Sequence, residues 1–376
     1  MSRENLDFSE RPLVLIWEVT QACDLACLHC RACAQPLRGQ NELSLDEGRR
    51  LIDQVAEMDI PIFVLTGGDP IKRPDILDLV EYAVQKGVRP CLTPSATPLL
   101  TRDIIFELKK RGLARLAISL DGPSAAAHDL FRGVPGTFER ACNAIRWAHE
   151  ADLPVQVNTT ITRYNQNSIQ HMLALMEELQ VVLWSVFFLV PTGRGKVADL
   201  LSPEEVEEVF EQLYEGSRQV KFHIKTTEGQ HYRRVLIQKK MERKAAASVE
   251  DSALPAAGTS LHTLMSGAGP GVNDGKGFVF VSHAGEVYPS GFLPLSGGNI
   301  RQQSLREIYQ ESPLFVSLRD SSLLKGKCGA CEFKEVCGGS RARAYALTGD
   351  LFAEEYCCAY QPPAYLKQED TVAETA

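Results

Sequence analysis

Short apolar stretches alternate with amphipathic stretches along the first half of the chain. The apolar runs predict buried strands, at 13–20, 60–66, 89–94, 113–120, 153–161 and 181–190. Apolar residues three or four positions apart predict helices between them, at 44–58, 74–86, 102–111, 137–151 and 168–179. This alternation is typical of a parallel sheet with right-handed crossovers. The region is too short for eight such units, so it predicts a partial (β/α)6 barrel in an α/β fold.

The pattern becomes less regular after residue 200. A capped amphipathic helix is predicted at 202–215, a strand at 222–226, and a basic helix followed by a linker at 233–258. A hairpin around 277–289 and a helix at 304–320 follow. The predicted organisation is an N-terminal arm, a partial barrel, a helix with linker, and a small α+β domain, at 1–11, 12–226, 227–269 and 270–376.

The composition is that of an ordinary globular protein, with 376 residues, 44% of them hydrophobic and 23% charged. The net charge of −8 gives no general attraction to nucleic acid or to anionic lipid. The sequence contains no apolar run of membrane-spanning length, and its first residues lack the apolar segment of a signal peptide. We therefore expect a cytoplasmic protein without a nucleic-acid or membrane partner.

Three of the eleven cysteines lie close together in the loop that leaves the first predicted strand: Cys23, Cys27 and Cys30. Clustered cysteines in a cytoplasmic protein indicate metal or redox chemistry rather than disulfides. Three thiolates can hold three irons of a cubane cluster, which leaves the fourth iron for a chelating small molecule. The alternatives are a structural zinc loop and a chance spacing.

A second group of cysteines lies near the C-terminus. Cys328, Cys331 and Cys337 are followed about twenty residues later by the adjacent pair Cys357 and Cys358. This spacing can supply four thiolates to one site, and both a 4Fe-4S cluster and a structural zinc ion satisfy that number. Spacing alone leaves the two possibilities open.

Ligands of parallel α/β folds bind beyond the carboxyl ends of the strands, so the residues there are candidates for binding. The second predicted strand ends in Gly67-Gly68-Asp69, whose glycines permit close backbone approach. The next three strands end in hydroxyl, amide or carboxylate side chains, which suit ribose hydroxyls and carboxylates. The alternative is that serine and threonine simply cap the following helices.

The Cys-x3-Cys-x2-Cys spacing, with Gly-Gly-Asp-Pro some forty residues later, resembles the radical S-adenosylmethionine (SAM) superfamily. The resemblance implies a 4Fe-4S cluster on Cys23, Cys27 and Cys30, with SAM bound to the open iron. One electron then breaks a sulfur–carbon bond of SAM, and the adenosyl radical removes a hydrogen atom from the substrate. It also implies a reductant such as flavodoxin or ferredoxin.

The same resemblance implies the residues that bind SAM. The Gly-Gly-Asp segment corresponds to a family motif that usually ends in glutamate and contacts the methionine amino group. Polar residues at the later strand ends correspond to contacts with the nucleoside and the methionine carboxylate. For the arginine among them, a solvent-facing position is an equal alternative. The candidates are Gly67, Gly68, Asp69, Ser95, Ser119, Asp121, Arg132, Asn158 and Pro191.

The C-terminal part resembles the SPASM/twitch-type extension of radical SAM enzymes. Full members carry seven cysteines and two auxiliary clusters, whereas this chain has five cysteines and Ser290 where the full motif has another. The resemblance therefore implies one auxiliary 4Fe-4S cluster, and Cys358 matches the Cys-x-Tyr-x-Pro ending of the family better than Cys357. The expected ligands are Cys328, Cys331, Cys337 and Cys358.

Segments near residues 289–295 and 337–350 are similar to the radical SAM enzymes of heme side pathways, with the mycofactocin maturase as a near neighbour. This similarity implies a tetrapyrrole substrate whose carboxylate side chain is decarboxylated oxidatively or removed. The auxiliary cluster would then accept an electron, although a purely structural role satisfies the same ligands. A peptide maturase and a non-catalytic iron–sulfur or zinc protein are the alternative functions.

Overall fold

The structure is a computed structural model that describes residues 7–250 and 271–367. Its strands form one ten-stranded sheet in the order β10-β9-β8-β1-β2-β3-β4-β5-β6-β7. The strands are β1 Val14–Glu18, β2 Ile62–Thr66, β3 Pro90–Leu92, β4 Arg115–Ser119, β5 Val155–Ile161, β6 Leu183–Phe188, β7 His223–Thr227, β8 Phe278–Val281, β9 Glu286–Tyr288 and β10 Gly298–Asn299.

Helices connect most of these strands. None of the helices in the described parts of the chain has the length and hydropathy needed to cross a bilayer. The helices are α1 Leu45–Glu57, α2 Ile76–Gln85, α3 Arg102–Lys110, α4 Ala125–Arg132, α5 Thr137–Glu150, α6 Ile169–Glu178, α7 Pro203–Ser217, α8 Tyr232–Glu250, α9 Leu305–Glu311, α10 Pro313–Arg319, α11 Gly326–Ala330 and α12 Arg341–Thr348.

The predicted α/β class is confirmed, because β1 to β7 pair in parallel in chain order. One face of the sheet packs against the connecting helices. Trp17 of β1, Phe63 of β2 and Trp184 of β6 are fully buried in this core. Alternate residues of each strand point to the opposite face, as at Asn158 of β5, which is only partly buried. The carboxyl ends of seven strands therefore meet at one edge.

All six strands predicted in the first half are present, and each is shorter than predicted. The third contains three residues, because the chain leaves the sheet at Thr93 and turns into a polar loop. The strand predicted at 222–226 is β7, which extends the parallel sheet beside β6. Helix α1 begins as the sequence indicates, since Ser44 and Glu47 form a reciprocal capping box.

The C-terminal hairpin joins the sheet of the first half. Strand β8 pairs in parallel with β1, so that Val14 lies beside Phe278 and Trp17 beside Val281. Strands β9 and β10 then continue the sheet in antiparallel fashion. The segment predicted as a separate small domain is therefore continuous with the barrel sheet through this pairing.

Two helical predictions differ from the structure. The single helix predicted at 304–320 is two helices, because Pro313 has no N–H to continue the first one and begins the second. Helix α4 is present although only α5 was predicted between β4 and β5. Helix α8 occupies the start of the predicted helix and linker, and the part from 251 to 269 lies outside the described residues.

Candidate functional site

The loop after β1 brings the three N-terminal cysteines together. Cys23 and Cys27 are buried and Cys30 is partly buried, and all three belong to one small apolar cluster. The loop is closed at its base, where Cys23 donates its backbone N–H to the Gln35 carbonyl at 2.7 Å. The three thiols of the predicted cluster site therefore lie at the carboxyl edge of the parallel sheet.

The C-terminal end of α4 holds the middle of this loop. Ala26 and Leu28 donate backbone N–H groups to the carbonyls of Arg132 and Phe131, at 3.2 and 3.0 Å. Gly133 ends the helix with a φ of +69°, and a Cβ there would lie 2.8 Å from the Ala26 carbonyl oxygen. Only glycine fits this turn without strain.

The Gly-Gly-Asp segment after β2 holds the start of the loop. Gly68 donates its N–H to the Thr20 carbonyl at 2.8 Å, and Asp69 donates to the Ala22 carbonyl at 2.6 Å. A Cβ on Gly68 would lie 2.5 Å from the Ala22 oxygen. The glycine has a structural role here, since it lets the strand end and the cysteine loop approach each other.

A cavity lies at the carboxyl ends of β2, β3 and β4. Five of the nine candidate SAM-binding residues line it: Gly67, Gly68, Ser95, Ser119 and Arg132. The Ser95 hydroxyl lies 3.4 Å from the Cys23 sulfur and donates to the Gly68 carbonyl at 2.9 Å, so the cavity adjoins a cluster thiol. The other lining residues are Leu25, Thr66, Thr93, Pro94, Ala96, His128 and Thr137.

The remaining four candidates do not line this cavity. Asp69 is fully buried behind it, where its carboxylate accepts hydrogen bonds from the N–H groups of Ile71 and Ser95 and from the Thr97 hydroxyl. Burial raises the pKa of Asp69 from 3.8 to about 6. The side chain thus organises the turns after β2 and β3, and its contact with a ligand amino group stays a prediction.

Asp121 and Arg132 form a buried ion pair beside a cluster thiol. Their side chains are 2.5 Å apart, and Arg132 also lies 3.6 Å from the Cys27 sulfur as a hydrogen-bond donor. Burial opposes ionisation of Asp121, but the charge of Arg132, the neighbouring His29 and His128 and the Thr160 backbone N–H together outweigh it and lower the pKa of the carboxyl. The solvent-facing alternative for Arg132 is therefore wrong.

The last two candidates flank the site. Asn158 accepts a hydrogen bond from Gln156 at 2.7 Å on the open face of β5. Pro191 begins the loop after β6, in which a Cβ on Gly193 would clash with the Cys30 and Arg31 carbonyl oxygens. The backbone N–H of Arg194 donates to the Cys30 carbonyl at 2.9 Å. This loop closes the far side of the cysteine loop.

Several buried nitrogen atoms around the cysteine loop have no hydrogen-bond partner within the described chain. They are Nδ1 of His29, Nε of Arg132, and Nε and Nη2 of Arg194. A buried polar atom without a partner costs about 1–3 kcal/mol, so such atoms mark a place where a bound group satisfies them. Two cationic side chains and three thiols fit an anionic iron–sulfur cluster with a carboxylate-bearing ligand.

The C-terminal cysteines surround a second cavity. Four of them line it together with Phe333 and Tyr360: Cys328, Cys331, Cys337 and Cys358. Cys357 does not line it, because its buried thiol points to the Leu201 carbonyl at 3.7 Å. The geometry thus separates the two adjacent cysteines that the sequence left as alternatives.

No three His, Cys, Asp or Glu side chains in residues 7–250 and 271–367 are arranged around a single point as the ligands of one metal ion are. The ligands of a cubane stand on separate irons and need not converge. Burial raises the pKa of Cys331 to about 11 and of Cys358 to about 12. Thiolates in this cavity therefore need the positive charge of bound metal.

Ser290, at the place of the missing motif cysteine, belongs to a buried polar network. Its hydroxyl lies 3.3 Å from the carboxylate of Glu228, which also accepts from Ser340. Arg343 connects this network to the barrel, pairing with Glu355 at 3.0 Å and donating to the Leu189 carbonyl at the end of β6. Ser290 thus makes hydrogen bonds at the position where the full SPASM motif has a further cysteine.

Comparison with known proteins points to one family. The model of the Radical SAM superfamily matches residues 17–179. The chain is 42% identical to an AdoMet-dependent heme synthase of Methanosarcina barkeri, over 93% of this chain and 97% of that protein. It is 40% identical to an AdoMet-dependent heme synthase of Nitratidesulfovibrio vulgaris, over 93% of this chain and 92% of the relative.

The fold is similar to that of solved structures as well. The crystal structure of Streptococcus suis SuiB bound to S-adenosylmethionine superposes with a TM-score of 0.71 at 17% identity, covering 93% of this chain and 78% of SuiB. At this level of identity the likeness concerns the fold alone.

Proposed function

The chain belongs to the radical SAM superfamily, and on that premise we propose that it acts on the carboxylate side chains of a heme-pathway tetrapyrrole. The reaction we propose is oxidative decarboxylation, or removal, of propionate groups. Identity of 42% and 40% over nearly the whole length of two AdoMet-dependent heme synthases supports this substrate class.

A SAM-binding 4Fe-4S cluster is proposed on Cys23, Cys27 and Cys30. When bound, the cluster and SAM supply a 5′-deoxyadenosyl radical that removes a hydrogen atom from the substrate. The cavity at the ends of β2, β3 and β4 adjoins the Cys23 thiol and is the proposed SAM site. Arg132, which lines that cavity and contacts Cys27, is placed to orient a carboxylate beside the cluster.

The chain's own part in this chemistry is to hold the cysteine loop in place and to shield the reactive groups from water. Backbone hydrogen bonds from the Gly68, Arg132 and Arg194 segments fix the cysteine loop on three sides. A fixed and enclosed loop keeps water from the reactive groups and holds the ligand close to its target. The single observation that supports the proposal most is the opening of a cavity at the strand ends directly beside one of three clustered thiols.

An auxiliary 4Fe-4S cluster is proposed on Cys328, Cys331, Cys337 and Cys358. Four thiolates occupy all four irons, so this cluster would not bind substrate and would accept the electron left after decarboxylation. We further propose a cytoplasmic protein whose N-terminal cluster is reduced by a flavodoxin or ferredoxin.

The test is turnover of the anaerobically reconstituted full chain with SAM, a strong reductant and iron-coproporphyrin. Formation of 5′-deoxyadenosine together with loss of carbon dioxide from propionate groups is the expected result. If 5′-deoxyadenosine formed only when a peptide was supplied, the result would contradict a tetrapyrrole substrate and favour a peptide maturase. Zinc without iron in the purified protein, and no SAM cleavage, would contradict radical chemistry altogether.

A further inference from the structure

The cavity lined by Cys328, Cys331, Cys337 and Cys358 is also lined by three cationic side chains: Arg234, Lys327 and Lys334. Lys327 donates to the Cys358 carbonyl at 2.6 Å, and Lys334 donates to the Gly329 carbonyl at 3.2 Å. One carboxylate, that of Glu355, lines the cavity, and it is neutralised by Arg343 at 3.0 Å. Three cations and one paired carboxylate among the described residues therefore line the cavity around these four thiols.

Arg234 differs from the two lysines because its guanidinium is almost completely buried. Its two outer nitrogens are engaged, with Nη1 donating to Gln238 at 2.7 Å and Nη2 paired with Glu207. The third, Nε, is buried and has no partner in the described chain. The guanidinium carbon lies 5.0 Å from the centre of the Tyr360 ring, which also lines the cavity.

We propose that Arg234 donates this free N–H to the auxiliary cluster and raises its reduction potential, making the cluster an electron acceptor. The inference rests on the proposed function, because it assumes that a cluster occupies the cavity. Reduction adds one negative charge, so a nearby cation and a hydrogen bond to sulfur stabilise the reduced state more than the oxidised state.

The electron balance of the proposed reaction needs such an acceptor. A substrate radical on the propionate carbon next to the ring, R–CH•–CH2–COO⁻, becomes R–CH=CH2 plus CO2 and one electron. An auxiliary cluster held by the four cysteines would accept this electron, and an oxidised protein carrier of the flavodoxin or ferredoxin class would remove it afterwards.

The experiment is an EPR-monitored redox titration of the reconstituted full chain, in which SAM addition identifies the N-terminal cluster by changing its signal. Arg234→Met should lower the midpoint potential of the SAM-insensitive cluster. The expected change is about tenfold in the reduction equilibrium, or about 59 mV for one electron. Arg234→Lys keeps the charge but lacks the Nε–H, and should lower the potential by a smaller amount.

Glu207→Gln provides a test of opposite sign, because it removes the anion that partly neutralises Arg234 and should raise the potential. Lys239→Met is the matched control, since Lys239 lies on the same helix and pairs with Glu211 away from the cavity. If the midpoint potential were unchanged in both Arg234 variants and in Glu207→Gln, the inference would be overturned. Continued SAM cleavage and product formation in these variants would show that the proposed function still holds. Absence of the second cluster's iron would overturn it together with the auxiliary part of the proposed function.

Discussion

The two cysteine sites of this chain are built for different tasks. The N-terminal site has three thiols on a loop beside an open cavity, and the arginine that lines this cavity is paired with a buried acid. The C-terminal site has four thiols around one cavity, with cations that outnumber the acids. A cluster with three protein ligands has one iron free to bind a second molecule. A cluster with four protein ligands can serve only in electron transfer or as a structural support.

The supports of the two sites differ as well. Backbone contacts from the ends of β2, β6 and α4 hold the N-terminal loop. The C-terminal site is joined to the barrel by the buried side chain of Arg343, which reaches the carbonyls of Phe188, Leu189 and Glu228. Substitutions can therefore disturb one site and leave the other intact.

The largest expected effect comes from Cys27→Ala, which should abolish SAM cleavage. The substitution removes one of three ligands, so the N-terminal cluster is lost and iron falls from about eight to about four per chain. Cys33→Ala is the control, because Cys33 lies in the same loop but is exposed. Iron analysis and 5′-deoxyadenosine assays measure both variants, and full SAM cleavage by Cys27→Ala would contradict the assignment.

The C-terminal site offers a sharper pair of variants. Cys358→Ser should lose the second cluster and the product while SAM cleavage continues, since the first cluster is untouched. Cys357→Ser should keep both the second cluster and product formation, because the Cys357 thiol points away from the cavity to the Leu201 carbonyl. Iron content and product yield are measured for both variants. Loss of the cluster in Cys357→Ser but not in Cys358→Ser would mean that Cys357 is the ligand.

Gly68→Ala should weaken SAM binding and turnover by about a hundredfold. The new Cβ would lie 2.5 Å from the Ala22 carbonyl and displace the cysteine loop, and misplacement by about 1 Å costs this much in rate. Gly39→Ala is the control, as the atom nearest to its Cβ is 4.0 Å away. Equal SAM affinity in the two variants would show that the close contact at Gly68 is not needed.

Arg343→Met should reduce the free energy of unfolding by about 3–5 kcal/mol. It leaves Glu355 buried without its cation and breaks the side-chain contacts to the end of β6. Arg301→Met removes a partly exposed pair with Glu47 and should cost at most about 1 kcal/mol. Chemical denaturation of both variants measures the difference, and equal losses would mean that burial of the pair is unimportant.

The smallest effect concerns pH. Burial and the neighbouring Asp274 raise the pKa of Glu228 above its ordinary 4.5, so the folded chain holds a proton that the unfolded chain releases. The stabilisation from this proton is complete below about pH 4.5 and is lost as pH rises towards the raised pKa. Glu228→Gln should flatten this decline in unfolding free energy, whereas Glu208→Gln at an exposed position should not.

The sequence predicted the parallel strands well because each follows from local periodicity, as in β5, where buried and partly buried residues alternate. Helix α4 was missed because it has only eight residues and follows Gly122-Pro123, which indicates a turn. The pairing of β8 with β1 joins residues more than 250 positions apart, and no local signal specifies it.

The candidate site was predictable to a similar degree. The cysteine pattern indicated which thiols meet, and motif resemblance identified five of the cavity-lining residues. The acid side chain of Asp69 is buried against Thr97, and this orientation depends on packing that the local sequence does not specify. His128 lines the cavity and lies in the stretch that suggested Arg132, but nothing in its sequence context distinguished it.

The central claim is that one of two clusters keeps an iron open to SAM. The most direct measurement is the EPR spectrum of the reduced, reconstituted full chain with and without SAM. The account predicts two cluster signals, of which SAM changes only the one that is lost in Cys27→Ala. A SAM-sensitive signal that survives in Cys27→Ala and disappears in Cys358→Ser would contradict it.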